Sequence, residues 1–172
     1  MVKLAILKNC ILIVKMSVSY DFTGKVALIT GSSSGIGAAT AVLLAKSGAN
    51  VVITGRNAEN VSKVSKQCSD VSPKRLKPLE VVADVTKEED LHRLLDTTIK
   101  TFGKLDILVN NAGFGGFSKL TDPDYSQKLR QLFETNLHSV VYLTQKSVEY
   151  LEKTKGNVIN ISSIAGLRPV RY

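Results

Sequence analysis

The chain has no tryptophan and only two cysteines and two histidines, and each scarcity removes a class of chemistry. Cys10 and Cys68 share no CxxC or other ligand-like spacing, so they read as unpaired thiols of a reducing compartment. His92 and His138 fall in stretches of helical periodicity with no HExxH; the spaced partners that zinc needs are missing, and no metal is expected. Aromatic residues make up 6% of the chain, and none alternates with lysine or arginine as a single-strand stacking surface requires. Long apolar runs are scarce too. The stretch MVKLAILKNCILIVK (1–15) is broken by Lys8 and Asn9 and falls short of the roughly 20 residues of a membrane span.

What is present suits one soluble α/β domain: 172 residues, 44% hydrophobic and 22% charged, enough to bury a sizeable core. The formal charge of +8 comes from scattered residues, with SPKRLKP (72–78) the one small cluster. A solvated basic surface is the expectation, with no nucleic-acid site, and a nucleotide cofactor is the anion to look for. Residues 1–21 read as an N-terminal extension and 22–172 as the domain; Met16 opens a more ordinary start, MSVSYDFTGKVALIT. A cytoplasmic location is expected. The alternative is a secreted or anchored form, in which Ser17 and Ser19 mimic a cleavage site and the sequons at Asn60 and Asn160 gain meaning.

From residue 25 the pattern alternates. KVALIT (25–30), NVVIT (50–54), LEVVAD (79–84), LDILVN (105–110) and NVINIS (157–162) read as strands. Between them lie helical stretches: IGAATAVLLAKSGA, a polar-faced helix opening at an Asn cap (NAENVSKVSKQCSDV), and TKEEDLHRLLDTTIKTFG. The last has a Thr86–Glu89 capping box at its start and Gly103 at its end. A long helix is expected over about 125–154. Strands separated by helices imply right-handed βαβ units, hence an α/β doubly wound parallel sheet of Rossmann type.

ITGSSSGIG (29–37) sits where the first strand turns into the first helix. Gly31 permits the tight turn, Gly35 lets the backbone approach a pyrophosphate, and Gly37 brings the helix against the sheet. Ser33, Ser34 and Ile36 complete the turn, and the helix N-terminus offers free N–H groups to phosphate. The same letters satisfy G-x-S-x-G, so a serine hydrolase with Ser33 as nucleophile is the rival reading. It needs a histidine on a later loop, whereas His92 and His138 lie in helical patterns, and an elbow normally follows several strands.

NAD would call for a carboxylate at the end of the second strand to hold the ribose 2′-hydroxyl. The chain offers VVITGRN: Gly55 leaves room, and the Arg56 guanidinium can bind a 2′-phosphate. NADP is therefore expected in preference to NAD, the bland alternative being a surface arginine that caps the turn.

With TGSSSGIG, VVADVT, LVNNAG, FETNLHSVVYLT and GNVINISSIAG in that order, the chain resembles the short-chain dehydrogenase/reductase family from about Phe22 to Gly166. The resemblance implies an NAD(P)-linked alcohol–carbonyl oxidoreductase acting on a small-molecule substrate, and a homo-oligomer for the full-length form. It implies that Asp84 and Val85 hold the adenine, that Asn111, Ala112 and Gly113 line the cofactor, and that Asn136 and Ser163 match two of four catalytic positions. Read as structure alone, Asp84 would cap the next helix and Asn136 would satisfy helix backbone.

The family's proton donor is the tyrosine of a Tyr-x-x-x-Lys motif on the helix after the fifth strand; the lysine lowers its pKa. An untuned tyrosine, with a pKa near ~10, is phenolate in about one molecule in a thousand at pH 7. Tyr172 arrives too soon after Ser163 and has no lysine one turn later. The sheet is thus expected to be incomplete on its C-terminal side, with the fifth strand a bare apolar edge and the long helix partly uncovered. The leading expectation is an incomplete copy of an NADP-dependent reductase. A short product that binds dinucleotide or a partner without chemistry is the second, and the hydrolase the third.

Overall fold

Five short parallel strands form the centre of the computed structural model, which describes residues 6–7, 10–11, 20–116 and 118–163. They are β1 (Val26–Ile29), β2 (Asn50–Gly55), β3 (Leu79–Val82), β4 (Ile107–Asn110) and β5 (Asn157–Asn160), in spatial order β3-β2-β1-β4-β5. The helices are α1 (Gly35–Lys46), α2 (Ala58–Val71), α3 (Glu88–Phe102), α4 (Tyr125–Phe133) and α5 (Ser139–Thr154). The order reverses at β1, which makes this the doubly wound, Rossmann-type α/β sheet expected from the sequence. Ahead of it, Ile6–Leu7 pairs antiparallel with Cys10–Ile11; most of the extension lies outside the described residues.

β1 and β4 are buried at every position because helices cover both faces, which is why their sequences are continuously apolar rather than alternating. Period-2 geometry then divides the side chains between two cores. Ala27, Ile29, Val51, Ile53 and Val109 face α1 and α2, meeting Ala41, Ala45, Val61, Val64 and Cys68. Val26, Leu28, Val52, Val81 and Leu108 face α3 and α5, meeting Leu91, Leu94, Leu95, Leu143 and Leu151. Burial on the inner face of α2 pushes the Cys68 thiol up to about 11. At the N-terminal ends of the strands, buried Asp106 accepts hydrogen bonds from Val26 N–H at 2.9 Å and from Lys25 Nζ and Lys104 Nζ, each at 3.0 Å. Burial would raise this carboxyl, but the Val26, Lys104 and Lys25 donors outweigh it and hold the pKa below the usual carboxylate value.

The helix ends follow local chemistry in two of three tests. The Asn57 side chain accepts from Asn60 N–H at 2.9 Å and starts α2, and Gly103 at φ +73° ends α3. The Thr86–Glu89 capping box does not form. α3 begins at Glu88 with Lys87 at the N-cap, a side chain that has no acceptor to offer; Thr86 lies one residue too early to cap, and its hydroxyl donates to Asp84 Oδ1 at 2.9 Å. Nor is the expected helix over 125–154 regular: a π-turn, Glu134–His138, joins α4 to α5. β5 is exposed at all four positions, and Leu129, Phe133, Leu137, Val141 and Val148 are exposed along the long helix, in line with the uncovered faces anticipated. Among the described residues no helix is long and apolar enough to cross a membrane.

Candidate active site

Because the strands are parallel, their C-terminal ends lie along one edge of the sheet, and the segments after all five carry the candidate residues. The glycine turn follows β1, Arg56 follows β2, Asp84 and Val85 follow β3, Asn111–Gly113 follow β4, and Ser163 follows β5. The sheet order reverses between β1 and β4, the position where open α/β sheets form their ligand crevice.

In the turn, Gly31 and Gly35 adopt φ of +64° and +55°, a region that side chains rarely enter. Nothing lies within 4 Å of a Cβ placed on Gly35, so the backbone there faces open space. On Gly37 a Cβ would stand 2.5 Å from Gly31 O, so glycine is what lets α1 reach the turn. Ser34 precedes α1 in extended conformation and makes no side-chain bond to the first turn, which also lacks acidic residues. The N–H groups opening α1 are thus left to a ligand, with the helix's partial positive charge behind them. Uncapped N–H groups, open space and no repelling carboxylate fit a pyrophosphate. Ile36 is exposed beside them.

Two residues that the sequence reading overlooked hold this turn in place. Thr30 is buried, and its Oγ1 accepts from Asn111 N–H at 2.9 Å and Ala112 N–H at 3.0 Å. Asn111 Nδ2 returns a bond to Thr30 O at 2.8 Å. Ser32 is fully buried, and its Oγ accepts from Thr54 N–H at 2.9 Å, tying the turn to the end of β2. The polar type of both residues was visible in the motif; the strand ends they reach were not.

At the ribose end, Arg56 is exposed, and among the described residues no carboxylate pairs with it. Gly55 lies beside the turn after β1: a Cβ added there would stand 2.7 Å from Ser33 Cβ. Asp84 does not cap α3. Its Oδ1 accepts from Thr86 N–H at 3.0 Å as well as from the hydroxyl, a local turn, while its own N–H donates to Asp90 Oδ2 at 2.9 Å. That bond first, and Arg93 second, hold Asp90 below its ordinary pKa. Val85 is half-buried against the α3-side core.

Asn136 lies in the π-turn, and both ends of its amide are committed across the crevice. Oδ1 accepts from Phe114 N–H at 3.0 Å, and Nδ2 donates to Phe114 O at 2.8 Å. A π-turn re-aims one side chain within a helix and often marks a functional site. Here it joins the long helix to the loop after Gly113, where a Cβ would sit 3.2 Å from Asn136 Oδ1. Asn110 Nδ2 donates to Asn160 Oδ1 at 2.8 Å and to Thr144 Oγ1 at 3.0 Å, fixing β5 beside β4 below exposed Ser163. Tyr172 lies outside the described residues.

A tyrosine and a lysine one turn apart, Tyr142 and Lys146, do occur on α5, with Lys146 Nζ 5.5 Å from the ring centroid. This pair precedes β5, and Tyr142 packs against the α3-side core, so it is not the motif expected after Ser163. The hydrolase reading loses its geometry: among the described residues no histidine hydrogen-bonds Ser33, and His92 and His138 are exposed on helices.

Comparison with known proteins agrees with this arrangement. A family model described as short chain dehydrogenase matches residues 25–172. L-fucose dehydrogenase of Bos taurus is 36% identical over 151 residues, which cover 88% of this chain and 53% of that protein. Among solved structures, glucose dehydrogenase of Caenorhabditis elegans is 46% identical with a TM-score of 0.73, over 84% of this chain and 56% of that one. A 7 alpha-hydroxysteroid dehydrogenase solved with NADH and 7-oxo glycochenodeoxycholic acid is 32% identical, TM-score 0.79, over 88% and 58%. The chain spans between half and three-fifths of the length of each.

Proposed function

The chain belongs to the short-chain dehydrogenase family, and from that premise we propose that it carries the nucleotide-holding part of an NADP-preferring oxidoreductase. The whole protein would interconvert a small-molecule alcohol and carbonyl, with the bound nicotinamide supplying or accepting the hydride. The observation that carries the cofactor preference is Arg56: an exposed guanidinium beyond β2, paired with no carboxylate among the described residues, next to a position that has no side chain. A 2′-phosphate suits it and a carboxylate-dependent ribose contact is missing.

In this reading the uncapped amides of Gly35, Ile36 and Gly37, with Ser33 and Ser34 beside them, cradle the pyrophosphate. Asp84 and Val85 border the adenine. Asn111, Ala112 and Gly113 form the crevice wall that Thr30 holds. Ser163 positions the substrate oxygen, and Asn136 fixes the loop at Phe114 around it. No tyrosine beyond Ser163 has a lysine one helical turn later, so these 172 residues by themselves are proposed to hold nucleotide without turning over a carbonyl. The nucleotide-binding unit is assigned to residues 22–172, with 1–21 an extension. A cytoplasmic location and a homo-oligomeric whole protein, as the family resemblance implies, complete the proposal.

Fluorescence titration of the chain with NADPH and NADH tests the reading. NADPH should bind more tightly, and Arg56→Ala should weaken NADPH by roughly 10- to 100-fold, the loss of charge-assisted phosphate bonds, while leaving NADH nearly unchanged. Equal affinity for the two nucleotides, or an equal loss of both, would refute the preference.

A further inference from the structure

The connection from β3 to α3 carries Asp84 and Val85, and a side chain of the helix reaches back to hold it. Asp90, in the first turn of α3, divides its carboxylate between two donors. Oδ2 accepts from Asp84 N–H at 2.9 Å, and Oδ1 accepts from Arg93 Nη2 at 2.6 Å. The same Arg93 nitrogen donates to Val82 O at 2.8 Å. Ala83 N–H bonds Gly55 O across to β2, so the Val82 carbonyl, one residue earlier, points to the free edge of the sheet, where Arg93 covers it. The bonds from Thr86 to Asp84 Oδ1 and from Lys87 N–H to Asp84 O stay within the connection and do not orient it against anything else. Lys87 at the N-cap makes no side-chain bond to the helix. Asp90 is thus the side chain that fixes the Asp84 backbone to α3, and Arg93 fixes Asp90 to the end of β3.

We propose that Asp90 and Arg93 are positioning residues of the adenine subsite, a clip between α3 and the edge strand that sets where Asp84 stands without touching the nucleotide. This rests on the reading of Asp84 as a neighbour of adenine given above. Thr86 occupies Asp84 Oδ1, so Oδ2 is the oxygen to which the exocyclic amino group of adenine is assigned. A carboxylate gains most from such a bond when its backbone is already in place, because a loop that must be ordered on binding gives back part of the gain. The clip supplies that order with charge-assisted bonds, and the Asp90 side chain is only 23% exposed, which limits competition from water. Arg93 also balances the charge of Asp90, a second carboxylate beside the connection that holds Asp84.

Fluorescence titration of the full chain tests the subsite with NADPH and with its hypoxanthine analogue, which carries a carbonyl oxygen in place of the amino group. Asp90→Ala should weaken NADPH by roughly 5- to 30-fold and the analogue by under about threefold, so that the two affinities converge. Asp90→Asn keeps an acceptor for Asp84 N–H and should hold NADPH within about threefold of the parent chain. Equal losses for both nucleotides in Asp90→Ala, as a general loosening would give, overturn the proposal. So does an Asp90→Asn as damaging as Asp90→Ala. Should Asp90→Ala not fold, Arg93→Ala at the surface carries the test: NADPH should weaken roughly 3- to 10-fold and the analogue under about twofold, and unchanged NADPH overturns the proposal. Amide hydrogen exchange without nucleotide examines the clip by itself. Asp84 N–H should exchange at least about tenfold faster in Asp90→Ala, with Asn111 and Ala112 N–H unaffected, and an Asp84 N–H at the parent rate overturns the clip. If the parent chain binds both nucleotides equally, the adenine subsite and the proposal fall together. If it binds neither, the nucleotide reading falls while hydrogen exchange still decides the clip.

Discussion

Thr30 offers the sharpest test of how the crevice is held together. Its hydroxyl accepts two backbone N–H groups, from Asn111 at 2.9 Å and Ala112 at 3.0 Å, and approaches Val109 O at 3.4 Å. Thr30→Val preserves the shape and leaves both N–H groups without an acceptor. A buried donor left unsatisfied costs about 1–3 kcal/mol; Asn111 and Ala112 are half-buried, so water recovers part of that, and a total of about 2–3 kcal/mol is expected. For a chain of this size that corresponds to a fall in Tm of roughly 5–12 °C. Thr30→Ser keeps the hydroxyl and loses one methyl, about 1 kcal/mol. Urea unfolding of the three proteins, read at constant m-value, separates the two effects. The reasoning fails if Thr30→Val costs under about 1 kcal/mol, or if Thr30→Ser costs as much as Thr30→Val.

Two further outcomes concern titratable groups away from the crevice. Asp106 has its folded pKa held down, so its contribution is complete above the unfolded carboxylate value near ~3.9 and disappears as pH falls through the folded value. Asp106→Asn should therefore be less stable than the parent chain by about 1–3 kcal/mol at pH 7, with the gap narrowing as pH falls below about 4; a gap that stays constant down to acid unfolding contradicts this. Cys68, whose thiol is raised from 9.0 to about 11, should resist aromatic disulfide reagents until the chain unfolds. Between those two values the unfolded chain ionises first, so stability should decline by about 2–3 kcal/mol as pH rises, a slope that Cys68→Ala removes. A parent chain as stable at pH 11 as at pH 9 contradicts it.

Local chemistry in the sequence settled the order of strands and helices, because burial on both faces forces continuous apolar runs such as VALI and ILVN, and because Asn57 and Gly103 act on their own neighbours. The motif glycines were legible for the same reason: positive φ at Gly31 and Gly35 leaves a mark in a single residue. What escaped the sequence are bonds between segments far apart along the chain. The π-turn at 134–138 carries Asn136, whose amide is matched to Phe114, 22 residues earlier, and no periodicity within the helix encodes that match. The capping box at Thr86 failed because α3 starts one residue later, with Lys87 at the N-cap, and Thr86 is turned back on Asp84, whose Oδ1 accepts from both its N–H and its hydroxyl. Gly55 shows in the sequence only as a missing side chain, and it is the folded sheet that brings Ser33 of the turn after β1 against it. Residue type announces which groups can bond or clash; only the packed sheet, by bringing five strand ends to one edge, decides which of them meet.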